Sequence, residues 1–141
     1  MYIDIVYYIF LGVNTVTDFK KHRIYVVFNL LSAVAGLIIF AYEKEPKWIS
    51  LIGGIFIGAY LYLFSLLTKG AVGIGDSIVV AVSGIFLGGG RNATVLMGGL
   101  LLAGLCGGIL LVCKKAGRKS ELPFVPFFTL SYIILRSGGV L

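Results

Sequence analysis

Apolar residues gather in six segments along the chain, at about residues 2–17, 24–42, 48–68, 76–88, 93–113 and 122–135, with short polar breaks between them. Most approach the roughly 20 residues that an α-helix needs to cross a bilayer. The breaks carry helix-ending chemistry. Asp18 precedes the basic cluster Lys20, Lys21, His22 and Arg23, and the hydrophilic stretch Glu43-Lys44-Glu45-Pro46-Lys47 contains a proline that stops a helix. Trp48 stands where an interfacial anchor is expected. Gly88-Gly89-Gly90-Arg91-Asn92 reads as a turn. The fourth segment is short for a span, so either the glycine stretch before it dips below the surface or the bilayer thins there. The pattern predicts an all-α, polytopic membrane protein of about six transmembrane helices, one domain over residues 1–141.

Composition strengthens this picture. Of 141 residues, 59% are hydrophobic and only 13% charged, against about a quarter charged in soluble domains. The formal net charge of +6 does not indicate a nucleic-acid partner. The cations lie in short breaks between apolar runs, where they set orientation and meet anionic lipid. The first, third and fifth breaks hold Lys20, Lys21, Arg23, Lys69, Lys114, Lys115, Arg118 and Lys119, whereas the other side holds Lys44, Lys47, Arg91 and Arg136. The excess of positive charge places the odd breaks in the cytoplasm and both termini outside.

Small residues recur four apart, as Gly54 and Gly58, as Gly99, Ala103 and Gly107, and as Gly104 and Gly108. They are expected to form close-packing surfaces between helices. Cys106 and Cys113 lie on roughly one helical face of an apolar run and read as packing residues. His22 is the lone histidine. No metal site and no cofactor are expected.

Two carboxylates carry the candidate chemistry. Asp76 ends the stretch Gly70-Ala71-Val72-Gly73-Ile74-Gly75-Asp76 and opens the fourth segment; Asp18 closes the first. The predicted orientation puts both on the cytoplasmic side, with Asp4, Glu43 and Glu45 on the other. Glu121 shares the cytoplasmic side but lies in a basic loop that offers it charge partners. A structural reading is open for each aspartate: Asp76 as a helix N-cap after a glycine turn, Asp18 as an ordinary polar helix end paired to its basic neighbours. The functional reading is that ionisable residues at membrane helices are costly and mark sites. Two carboxylates held close and shielded from water share a proton. The ionised member can then take a proton from an attacking water while the protonated member donates to the carbonyl oxygen of an amide. Gly73 and Gly75 either let a substrate backbone approach or allow the turn that aims Asp76 inward. Because Asp76 opens a helix and Asp18 closes one, the helix dipole favours Asp76 as the ionised base and Asp18 as the acid.

In these features the chain resembles the prepilin peptidases, membrane aspartic proteases that include the archaeal preflagellin peptidases. Gly73-Ile74-Gly75-Asp76 matches their GxGD motif, and Ala81, Gly84, Leu87 and Gly88 stand at the family's offsets along the next helix. Asp18, followed by basic residues and Ile24, is similar to the first aspartate motif. Leu122-Pro123-Phe124-Val125-Pro126-Phe127 is similar to the late PFGPF stretch, with Val125 in place of the central glycine. Tyr25 and Val26 replace the family's frequent Pro-Asn, and Ile78 replaces a common lysine. The resemblance implies catalysis by Asp18 and Asp76, with Gly73, Gly75, Pro123, Phe124 and Pro126 shaping the site or binding substrate. It implies removal of a short basic leader from pilin-like precursors at the cytoplasmic membrane face. Many bacterial members carry an amino-terminal extension with paired CxxC motifs linked to methylation; none is found here, and peptidase activity alone is expected. Two other classes stay open: a small proton- or ion-coupled channel or transporter with the aspartates as relay groups, and an inactive scaffold of a pilus or secretion system.

Overall fold

The structure is a computed structural model that describes residues 2–21, 23–69, 72–114 and 122–141. His22, Gly70, Ala71, Lys115, Arg118, Lys119 and Glu121, which figure in the sequence reading, lie outside the described residues. The described chain is all-helical: α1 (Tyr2–Lys21), α2 (Val26–Ala41), α3 (Trp48–Leu67), α4 (Ile74–Val112) and α5 (Val125–Ser137). Of these helices α3 and α4 alone, not six, are both long and apolar enough to cross a membrane. The shortfall has simple causes. Helix α1 has the length but carries Asn14, Thr15, Thr17 and Asp18 toward its end. Helices α2 and α5 are apolar but only 16 and 13 residues long.

Helix α4 is not one rod. Gly88 has φ 75° and ψ 173°, outside helical geometry and in a region that a side chain disfavours. Beyond it, the Asn92 Nδ2 donates to the carbonyl oxygen of Val80 at 3.0 Å, twelve residues earlier. A straight helix would put those residues about 18 Å apart. The chain therefore doubles back at Gly88, giving a first arm (74–87) and a second arm (89–112). These correspond to the fourth and fifth expected segments, but the turn between them is shorter than expected. Gly89 to Asn92 are helical, and only Gly88 breaks the geometry.

Pairwise contacts give the arms alternating directions. Gly54 and Gly58 of α3 meet Gly84 and Ala81 of the first arm so closely that a Cβ on either glycine would overlap the opposing backbone. Gly99 of the second arm packs on the backbone of Phe128, and Ser131 donates to the Val95 carbonyl at 2.9 Å. Helices α1 and α5 run antiparallel, linked by Thr15–Thr129 at 2.8 Å and, at the far end, by Arg136–Asp4 at 3.0 Å. The two chain termini consequently share one end of the bundle. Gly104 and Gly108, expected to pack, have open space where a Cβ would stand, because they face away from the other helices. Cys113, also expected to pack, is exposed.

The bundle buries small polar side chains beside an apolar core, and its exterior is apolar as well. Asn14, Asp18, Asn29, Ser32, Ser65, Ser77, Ser83, Asn92 and Ser131 are buried beside an aromatic centre of Tyr7, Phe10, Phe28, Phe86 and Tyr132. Ile49, Ile52, Phe56, Leu63 and Leu67 of α3, and Leu30, Leu31, Val34 and Ile38 of α2, face outward. An apolar surface of this extent is foreign to a soluble monomer. In a bilayer it is the expected arrangement, since lipid solvates it and helices associate through small residues and buried hydrogen bonds.

Candidate active site

Three helix ends meet at the end of the bundle opposite the termini. They are the last turn of α1, the first turn of the first α4 arm and the first turn of α5. Helix α1 runs to Lys21, past Thr17, so Asp18 lies within the helix rather than after it, and it is buried at 6% exposure. Its Oδ2 accepts a hydrogen bond from the backbone N–H of Val125 at 3.0 Å. That donor has a local cause. Val125 is the first helical residue of α5, Pro126 after it has no N–H, and Phe127 and Phe128 both donate to the Phe124 carbonyl. The unsatisfied donor of the α5 N-terminus is thereby aimed at Asp18.

Asp76 is half-buried, at the third position of α4. Gly73, not Asp76, is the N-cap residue, with φ −60° and ψ 134°. The Asp76 carboxylate turns back toward Gly73 at the start of α4. A Cβ on Gly73 would lie 2.7 Å from the Asp76 Oδ2. The absence of a side chain there is a requirement of the carboxylate's position, not of the backbone turn. Gly75 has a related role: a Cβ would stand 2.9–3.1 Å from Ile24, so this glycine lets the opening of α4 close against the start of α2. Asp76 and Asp18 are near enough for their charges to interact.

The structure thus brings Asp18, Asp76, Gly73 and Gly75 to one place, and the late Pro-Phe stretch joins them through the Val125 backbone. Pro123, Phe124 and Pro126 are half-buried around that junction. The dipole argument for acid and base loses its footing, because Asp18 sits against the N-terminus of α5 just as Asp76 sits at that of α4. In the sequence Val125 is only a departure from a motif glycine. The two prolines around it are the signal that its N–H would be left over. Lys20, Lys21, Arg23, Lys69 and Lys114 surround this end.

Behind Asp18, one turn back on α1, Asn14 accepts from the Nδ2 of Asn29 at 2.9 Å and donates to the Phe10 carbonyl. Both asparagines are buried. This pair ties α1 to α2 and was not singled out in the sequence, where Asn14 counted only as a polar helix end. Among the described residues no three His, Cys, Asp or Glu side chains cluster to hold a metal.

An all-helical protein with an apolar exterior and two carboxylates gathered at one end of the bundle belongs to the class of membrane-associated proteins with a candidate two-aspartate site. Residues 5–112 match the type IV leader peptidase family, and the chain belongs to that family. The matched region contains Asp18 and Asp76 and ends before α5, so the late Pro-Phe stretch lies outside it. No curated protein and no solved structure matches the chain.

Proposed function

We propose that this peptidase is an aspartic endopeptidase, in which Asp18 and Asp76 activate water to cleave a short basic leader from pilin-like precursors. The observation that carries the reading is the approach of two carboxylates from sequence-distant helices, Asp18 held by the Val125 N–H at the start of α5 and Asp76 in the first turn of α4. In this scheme one carboxylate, ionised, takes a proton from water as the water attacks the scissile carbonyl. The other, protonated, donates to the carbonyl oxygen as it becomes a hydroxyl. The half-buried setting keeps bulk water from screening the pair.

The site is assigned to the cytoplasmic membrane face, and both termini to the outside, on the excess of Lys and Arg at the aspartate end. A reporter fused to the C-terminus should be active only on the outer side. Activity in the cytoplasm would invert the topology. The chemistry is tested by incubating purified full-length protein in liposomes with several pilin-like precursors. Leader removal by wild type, lost in both Asp18→Asn and Asp76→Asn while thermal unfolding is unchanged, is the expected result. Cleavage that survives both substitutions would exclude the two-aspartate scheme.

A further inference from the structure

At the end of the bundle opposite the aspartates lies a cavity of about 380 Å³ between α2, α3 and the turn of α4. Phe40 and Phe86 line it and are half-buried, while Glu43, Glu45, Lys47 and Arg91 line it and are exposed, so an apolar floor lies under a charged rim. Among the described residues none of these four charges makes an ion pair or a side-chain hydrogen bond. Two anions and two cations therefore surround one mouth without neutralising each other. That arrangement complements a ligand carrying both signs. A simple anion would meet the two carboxylates, and a simple cation would meet Lys47 and Arg91.

The surroundings point to lipid rather than to a soluble zwitterion. Tyr42 and Trp48 are exposed at this end, where aromatic rings mark a headgroup layer. Exposed Ile38 of α2 and Ile49 and Ile52 of α3 extend the apolar surface away from the cavity, a face along which acyl chains can lie. We propose that the cavity binds the headgroup of a zwitterionic phospholipid with a primary ammonium, that is, phosphatidylethanolamine. The ammonium has three N–H donors to share between Glu43 and Glu45. The phosphate takes Arg91, whose guanidinium can bond two of its oxygens, together with Lys47. A trimethylated headgroup keeps the charge but has no donor for the carboxylates. This assignment rests on the membrane setting of the chain and is independent of the proposed peptidase chemistry.

The test is native mass spectrometry of the delipidated full-length protein titrated with phosphatidylethanolamine, phosphatidylcholine or phosphatidylglycerol. Phosphatidylethanolamine should bind on the order of tenfold tighter than either other lipid, the equivalent of one charge-assisted hydrogen bond. The double variant Glu43→Gln/Glu45→Gln should abolish that preference, Arg91→Gln should weaken phosphatidylethanolamine and phosphatidylglycerol alike, and Asp18→Asn should leave both unchanged. Thermal unfolding of each variant shows that it is folded. Equal affinity for the three lipids, or a preference that survives the double variant, would overturn the proposal. Displacement of the lipid by an equimolar amount of free phosphoethanolamine would overturn the lipid assignment in favour of a soluble zwitterion.

Discussion

The two ends of this bundle treat their carboxylates in opposite ways. At one end Asp18 and Asp76 are drawn in, Asp18 held by the backbone N–H of Val125 and Asp76 turned back against Gly73. At the other, Glu43 and Glu45 stand exposed among cations and, among the described residues, make no ion pair. The difference comes from what meets at each end. Two helix N-termini converge on the aspartates, and unsatisfied N–H groups there fix an oxygen in place. At the far end Glu43 and Glu45 stand in the hydrophilic turn between α2 and α3, and no side-chain hydrogen bond caps the N-terminus of α3 that follows it. A held carboxylate suits a reaction that needs a fixed geometry; an exposed one suits reversible binding.

Substitutions can break this contrast. The largest effect is expected at the aspartates: Asp18→Asn or Asp76→Asn should lower leader cleavage by about 100-fold or more. Glu43→Gln and Glu45→Gln should leave cleavage within about twofold. Equal loss at both ends, measured with the same precursor, would remove the distinction.

Next is the seam that carries Asp76. Gly54→Leu places a side chain into the backbone of Gly84, and overpacking of this kind costs about 1–3 kcal/mol or more. A lowered unfolding midpoint in detergent should accompany lost activity. Gly104→Leu, which points into open space, should change the midpoint little. A smaller cost is expected for Asn92→Leu, which removes the donor that ties the two arms of α4. Loss of this buried hydrogen bond should cost about 1–2 kcal/mol, read by the same unfolding measurement. An unchanged midpoint would mean that Gly88 alone holds the reversal. Arg136→Ala should matter least. Its pair with Asp4 is partly exposed, at 39% and 36% for the two side chains, and such pairs contribute about 0–1 kcal/mol.

Much of this architecture was legible along the chain. The apolar runs mark every helix, Pro46 and Trp48 bound α3, and Asp18 and Asp76 stand out because acidic residues are scarce. The boundaries that slipped did so for physical reasons. Thr17 and Asp18 look like a helix end, but the Thr17 hydroxyl bonds back to the Val13 and Asn14 carbonyls, Asp18 is buried where it accepts from the Val125 N–H of α5, and α1 continues to Lys21. Asn92 looks like a turn residue beside three glycines. It is helical and fully buried because the arm it belongs to folds back on Val80 and Gly54. The expected stripe of small residues separated into two kinds: Gly54 and Gly58 face a neighbouring backbone, and Gly104 and Gly108 face outward. Spacing alone is identical in the two cases.

By itself the sequence determined the helical class, the apolar exterior and the two carboxylates with the glycines beside Asp76, since these depend on residue type and local period. Only the tertiary structure decided that the Val125 N–H meets Asp18 across 107 residues, that α4 reverses at one residue, and that both aspartates share a helix N-terminal environment. Local propensity sets which backbone donors an element leaves unsatisfied. Which side chain receives them depends on how distant elements pack, and no pattern along the chain records that geometry.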